Sequence, residues 1–153
     1  MIGFSEYLEA ERPGHADSVR RPARQPILIV EPAPDDARHV VRCLEGLKQS
    51  VCLAVSAEEA MDLLRRELFT RAVVAAEAML DGRPLLARIA GLPTLEHVVA
   101  TGPAEDARME TRARIAGAHL YLPRPVSAKR LARALRIGDA EEVRPRRSGG
   151  KAS

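Results

Sequence analysis

The chain has 153 residues, of which 46% are hydrophobic and only 3% aromatic, and its formal net charge is +3. This length suits one domain with a core of Leu, Val, Ile and Ala, and it is short for two domains. No apolar run approaches the roughly 18 residues of a membrane-spanning helix, and the N-terminus lacks the apolar stretch of a secretory signal. We therefore expect a cytoplasmic protein without membrane insertion, and the small net charge alone does not indicate a nucleic-acid partner.

Composition divides the chain into three parts. Residues 1–25 form a leader in which proline and glycine favour irregular structure, residues 26–137 form the domain, and residues 138–153 form a basic tail typical of disorder. Phe4 and Tyr7 of the leader are half of all aromatic residues. Two roles remain open for them: anchors that dock into a partner's pocket, or cover for an apolar surface of the domain itself.

The domain begins with two predicted strand–helix units. Residues 27–30 form an apolar run typical of a buried parallel strand, and Pro34 begins the first helix. Residues 51–55 form the second strand, and Ser56-Ala57-Glu58-Glu59 fits a capping box at the start of the second helix. The spacing assigns these apolar residues to the buried sides of the two helices: Ala37, Val40, Val41, Leu44 and Leu47 in the first, and Met61, Leu64 and Leu68 in the second.

Three more units follow in chain order. Residues 72–76 form the third strand, and a short third helix covers residues 84–90. Residues 97–101 and 105–116 form the fourth strand and helix, and residues 120–122 form the fifth strand. Ser127 is predicted to cap the last helix, with Leu131 and Leu135 on one face.

This alternation predicts an α/β protein with a parallel sheet between two layers of helices, in other words a flavodoxin-like (βα)5 three-layer sandwich. The expected strand order is 2-1-3-4-5, with right-handed connections. Ligands of such folds bind at the carboxyl ends of the strands. That edge of the predicted sheet collects Glu31, Glu77, Thr101 and Arg124.

The segment Tyr121-Leu122-Pro123-Arg124-Pro125 lies twenty residues after Thr101 and, with the strand that ends at Glu31, resembles a receiver domain of bacterial response regulators. The resemblance covers residues 26–137 and implies a role in two-component signalling. It implies that Thr101 stands where the family has Thr or Ser at the end of the fourth strand. It also implies that Tyr121 is the switch aromatic, and Pro125 matches the proline of a Lys-Pro pair.

Three positions depart from the family pattern. The family has an acidic pair that holds Mg²⁺ after the first strand, whereas this chain has Glu31 and Pro32. Glu77 replaces the phosphoacceptor Asp, and Arg124 replaces the Lys. Phosphoryl transfer needs an in-line carboxylate nucleophile and a metal ion, so these changes predict a degenerate, phosphorylation-independent pseudo-receiver. We expect no catalytic residue, metal or cofactor, and no enzymatic activity.

Arg124 can form a two-pronged pair with Glu77, to which Thr101 can also donate its hydroxyl. Two interpretations stay open: a built-in imitation of the phosphorylated state, or an inert site whose charges solvate one another. The imitation predicts that Tyr121 rests inward beneath the fourth helix, and the competing arrangement has an outward ring. Asp81 could act as a substitute phosphoacceptor, although Asp-Gly is far more often only a turn.

Basic residues recur at helical spacing in the fourth and fifth helices. They form either a solvated outer face or a docking surface for an acidic protein partner, such as a histidine kinase or another regulator. A homodimer through the same face is a further possibility. The alternative function is a small nucleic-acid-associated regulator, which is weakened because no aromatic residue interleaves with these charges. The predicted interaction face comprises Arg108, Arg112, Lys129, Arg130 and Arg133.

Overall fold

The computed structural model describes residues 25–138, which form a parallel sheet with helices on both faces. The predictions for the leader and for the basic tail lie outside the described residues. Within residues 25–138, no helix is long and apolar enough to cross a membrane.

The sheet has five parallel strands in the order β2-β1-β3-β6-β7. Two short strands, β4 and β5, pair with each other outside this sheet, so the predicted order 2-1-3-4-5 is confirmed. The strands are β1 (Ile27–Val30), β2 (Val51–Ala54), β3 (Arg71–Ala75), β4 (Met79–Leu80), β5 (Arg83–Pro84), β6 (His97–Gly102) and β7 (Leu120–Pro123).

The helices divide between the two faces of the sheet, and one apolar cluster lies under each layer. Side chains alternate along β1, so that Ile27 and Ile29 join one cluster while Leu28 and Val30 join the other. The first cluster contains residues of α1 and α5, and the second contains residues of α2, α3 and α4. The helices are α1 (Pro34–Gly46), α2 (Ala57–Arg66), α3 (Leu85–Ile89), α4 (Ala107–Ala116) and α5 (Ala128–Ala134).

Both predicted helix caps are formed. The Ser56 hydroxyl accepts a hydrogen bond from the Glu59 amide at 3.1 Å, and the Glu59 carboxylate accepts one from the Val55 amide at 2.8 Å. The return bond of this capping box therefore goes to the residue before the cap. Ser127 likewise accepts a hydrogen bond from the Arg130 amide at 3.1 Å. These short-range bonds satisfy amides that would otherwise have no partner in the first turn of a helix.

The predicted buried stripe of the second helix is wrong at Leu68. The helix ends at Arg66, the backbone of Glu67 is already extended, and Leu68 is 51% exposed. Helical spacing ceases to apply once the chain leaves the helix. Phe69, at 1% exposure, takes the buried position instead as the chain approaches β3.

The connection after β3 contains a tight hairpin and a short helix. Asp81 and Gly82 join β4 to β5 with φ angles of 52° and 78°, the positive values of a type I′ turn. The prediction of a turn at this Asp-Gly pair is thus confirmed. Helix α3 contains only five residues, which lie within the short helix predicted for residues 84–90.

Candidate functional site

The residues predicted to gather at the carboxyl ends of the strands are brought together there. Glu31 directly follows β1, Arg124 directly follows β7, and Glu77 lies two residues beyond β3. Thr101 lies in β6, where its register partners are Ala75 and Leu122. Parallel strands deliver side chains that are far apart in sequence to one edge of the sheet, and a charged cluster results.

Arg124 and Glu77 form the two-pronged pair that the sequence predicts. The Arg124 Nη1 atom donates to Glu77 Oε1 at 3.0 Å, and Nη2 donates to Oε2. The side chain of Arg124 is 17% exposed and that of Glu77 is 42% exposed. Partial burial favours the neutral acid, but the hydrogen bonds and charge of Arg124 outweigh it and lower the pKa of Glu77. Hydrogen bonding to Glu77 raises the pKa of Arg124 in turn.

Glu31 is the buried member of the cluster, with an exposure of only 4%. Its Oε2 atom accepts a hydrogen bond from the Ala33 amide at 3.0 Å, and its Oε1 atom lies 3.7 Å from Arg124 Nη1. Burial raises the pKa of Glu31, although the Ala33 amide and the charge of Arg124 act in the opposite direction. The same guanidinium thus stabilises the Glu77 carboxylate more effectively than the Glu31 carboxylate.

A third acid, which was not among the predicted site residues, joins this cluster. Asp36 Oδ2 lies 4.0 Å from Arg124 Nε. Its position at the start of α1, just after β1, is the signal that could have assigned it to the same edge of the sheet. One guanidinium therefore faces three carboxylates.

The receiver resemblance implies a Mg²⁺ ion at this edge, but the residues present do not fit one. The ion prefers near-octahedral oxygen ligands, and Pro32 supplies no carboxylate. The positive charge of Arg124 already lies close to the Glu31 and Glu77 carboxylates, which would otherwise face the metal ion. Within residues 25–138, no group of three or more His, Cys, Asp or Glu side chains is arranged to hold a metal.

The predicted hydrogen bond from Thr101 to Glu77 is not formed between these two described residues. Thr101 is 1% exposed, and its carbonyl accepts a hydrogen bond from the Ala76 amide at 2.8 Å. Both oxygens of Glu77 are engaged by Arg124, which holds the carboxylate towards the end of β7. Glu77 therefore pairs with Arg124, and Thr101 does not use the acceptor that the sequence predicted for it.

Tyr121 rests inward, as predicted. It is 8% exposed, it belongs to the same buried cluster as Ala113 of α4, and its hydroxyl donates to the Pro103 carbonyl at 2.9 Å. The position beneath the ring is Gly102, where an added Cβ would lie 2.2 Å from the Tyr121 hydroxyl oxygen. Gly102 was not among the predicted site residues, because a glycine at the end of a strand does not reveal which side chain crosses it.

The five predicted face residues, two on α4 and three on α5, are all exposed, and none has an ion-pair partner among the described residues. Arg112 lines a cleft between α4 and α3, and Arg108 lies one turn earlier on the same side of the helix. Helix α5 carries Lys129, Arg130 and Arg133 on the other side of the sheet. The predicted face therefore consists of two basic groups separated by the edge strand β7.

No protein-family model and no curated protein matches the sequence significantly. Solved receiver domains match its fold. One, from a modulated diguanylate cyclase of Desulfovibrio desulfuricans G20, is 26% identical with a TM-score of 0.64, over 76% of this chain and 94% of that one. Another, from an HD domain-containing protein of Pseudomonas fluorescens Pf-5, is 24% identical with a TM-score of 0.65, over 78% and 98%.

The receiver domain of a Francisella response regulator matches over 77% of this chain and 99% of its own length, at 18% identity and a TM-score of 0.64. The chain thus has the fold of response-regulator receiver domains. This fold supports a role in signal transduction.

Proposed function

We propose that this chain is a phosphorylation-independent pseudo-receiver that acts as a protein–protein interaction module in bacterial signal transduction. The observation that carries the proposal is the two-pronged pair between Arg124 and Glu77 at the place where the family binds its phosphoryl group. We place this function in the cytoplasm, the compartment that we expect from the sequence. The proposal assigns no enzymatic activity to the chain.

The chemistry of the cluster supports phosphorylation independence. A carboxylate nucleophile must lie free and in line with the phosphoryl donor, and a metal ion must spread the charge of the phosphoryl oxygens. Both oxygens of Glu77 accept hydrogen bonds from Arg124, and Glu places its carboxylate one methylene further out than Asp. The guanidinium also occupies the cationic position beside Glu31.

Two features favour an imitation of the phosphorylated state over an inert site. The negative charge of Glu77 is paired with Arg124, directly after β7, and Tyr121 is already inward. Because Thr101 does not connect these features through Glu77, we infer that Gly102 fixes the inward ring. In this proposal the local sequence allows the Tyr121 ring to lie inward, and no phosphorylation is needed to move it there.

The first experiment uses intact-mass spectrometry after incubation with acetyl phosphate and Mg²⁺. We expect no mass gain for the natural chain. The variant Pro32→Asp/Glu77→Asp/Arg124→Lys restores the family's residues and should gain one phosphoryl group, and a phosphorylatable receiver domain verifies the donor. A stable phosphoryl group on the natural chain, at Asp81 or elsewhere in the site, contradicts the proposal.

The second experiment identifies the surface that a partner uses. A protein partner with an acidic surface, such as a histidine kinase or another regulator, should be captured from the native cell by the natural chain. We expect charge reversal at Arg130 and Arg133 on α5 to abolish capture, and reversal at Arg108 and Arg112 on α4 tests the other basic group. Reversal of Arg42 is the matched control, because this exposed arginine lies on α1 and outside both basic groups.

Two other outcomes of this experiment are informative. Capture that is unaffected by either reversal refutes docking through the basic groups. Salt-dependent binding to DNA, lost with the same reversals, favours the alternative nucleic-acid function, which no feature of the described residues supports. Sedimentation of the natural and reversed chains tests the proposed homodimer through α4, β7 and α5.

A further inference from the structure

An open apolar cleft of about 740 Å³ lies between the β4–β5 hairpin, α3 and α4. Pro84 and Leu86 line it on one side, and Met109 lines it on the other. Met79 and Ile115 also line it and are 51% and 80% exposed, a large exposure for such side chains. Because α3 has only five residues, it leaves this side of α4 uncovered.

The rim of the cleft carries positive charge that the described residues do not neutralise. Arg112 lines the cleft, and Arg108 lies one turn earlier on the same side of α4. Both are exposed and have no ion-pair partner within residues 25–138. Glu77 also borders the cleft, but Arg124 already compensates its charge. An apolar floor with a basic rim selects a ligand segment that is both apolar and acidic.

We propose that residues 1–11 of this same chain bind in the cleft. The segment contains no Lys or Arg, and its acidic residues are interleaved with large apolar ones. Aromatic side chains are the usual anchors of segments that dock in pockets, and half of this protein's aromatics lie here. The apolar residues are Ile2, Phe4, Tyr7 and Leu8, and the acidic residues are Glu6, Glu9 and Glu11.

The chain between the segment and the domain is long enough for binding within one molecule. Residues 12–24 span up to about 45 Å when extended. A domain of this size has a radius of gyration of about 13 Å, so the segment reaches the cleft from the start of β1. Attachment to the same chain also raises the effective concentration of the segment at the cleft. The proposal rests on the cleft and the leader sequence, and it is independent of the state of the phosphorylation site.

The test is photo-crosslinking of the full-length chain with benzoylphenylalanine in place of Tyr7. This side chain reacts preferentially with nearby methionines, and Met79 and Met109 line the cleft. We expect an adduct within one molecule, mapped by mass spectrometry to either methionine. Benzoylphenylalanine at Val19 is the control, because that position lies outside the proposed segment, and it should not give this adduct.

Cleft variants distinguish specific binding from chance contact. Ile115→Asp or Arg112→Glu, both at exposed positions, should lower the adduct yield about fivefold or more. Leu68→Asp is the matched control at an exposed apolar residue outside the cleft and should leave the yield unchanged. Equal yields in all variants, adducts elsewhere, or adducts only between two molecules overturn the proposal.

Discussion

The Arg124 cluster comprises Arg124, Glu31, Asp36 and Glu77, and the seat of Tyr121 is the buried position of its ring over Gly102. The two regions lie at neighbouring strand ends and are both filled by side chains, but different forces hold them. The cluster depends on charge: Arg124 pairs with Glu77 and approaches the buried Glu31. The seat depends on shape: the ring packs in an apolar cluster over Gly102, and a single hydrogen bond satisfies its hydroxyl.

No hydrogen bond from Thr101 to Glu77 connects these two regions. A filled site and an inward ring can therefore arise together from two separate local causes. The inward ring needs no charge at position 77, and the ion pair needs no aromatic above it. We therefore expect a substitution in one region to leave the structure of the other region unchanged.

The largest effect is expected for Arg124→Ala. This change leaves the buried Glu31 without a nearby cation and Glu77 without its donor, and we expect a loss of about 2–3 kcal/mol in the free energy of unfolding. Urea unfolding measures the loss, and Arg42→Ala, at an exposed residue, should stay within about 0.5 kcal/mol. Nuclear magnetic resonance should still show Tyr121 inward, and an outward ring would contradict the separation of the two regions.

The second effect is expected for Gly102→Ala. The new methyl group would lie within 3.0 Å of three atoms of the Tyr121 side chain, so the ring must leave its seat and lose the bond to Pro103. We expect destabilisation by about 1–2 kcal/mol, with the ion pair of Arg124 intact. Gly91→Ala is the control, because a Cβ there meets nothing within 4 Å. A crystal structure of Gly102→Ala with an unmoved ring would refute this account.

The third effect concerns pH, and the two glutamates should respond with opposite signs. The folded pKa of Glu31 is raised, so its cost to stability appears as pH rises from the ordinary value of 4.5 through the folded pKa. The folded pKa of Glu77 is lowered, so its contribution is present above the ordinary value and is lost as pH falls through the folded pKa.

At pH 7, Glu31→Gln should therefore raise the free energy of unfolding, and Glu77→Gln should lower it by about 0.5–1 kcal/mol, since that pair is partly exposed. Both differences should vanish below the two pKa values, where the native acids are protonated. Urea unfolding of the three proteins between pH 7 and pH 3 measures these differences. If both substitutions change the free energy of unfolding in the same direction at neutral pH, Arg124 stabilises the two carboxylates alike.

The smallest effect is the coupling between the regions. In a double-mutant cycle of Glu77→Gln and Tyr121→Phe, the interaction energy should stay within about 0.5 kcal/mol, the limit for independent sites. A cycle of Glu77→Gln and Arg124→Ala is the positive control, because those two residues share one interaction. A coupling above about 1 kcal/mol in the first cycle would show that the site and the ring act together.

Sequence periodicity predicted the main elements of this fold because its signals are local. Strand order followed from the alternation of elements, and the caps at Ser56 and Ser127 followed from bonds that span three residues. The prediction for Leu68 failed where the helix ended, because the spacing of apolar residues does not show where the backbone changes direction. The same alternation placed Glu31, Glu77, Thr101 and Arg124 at one edge of the sheet.

What the sequence determined by itself was the set of groups at the site: acids after two strands, an arginine where the family has lysine, and a tyrosine three residues before it. Only the tertiary structure decided how they share partners. A guanidinium can donate to several carboxylates. Glu77 accepts hydrogen bonds from Arg124 and not from the Thr101 hydroxyl, and this outcome depends on distances between strands. The roles of Asp36 and Gly102 were decided in the same way, because each depends on a neighbour that is distant in sequence and adjacent only in the folded sheet.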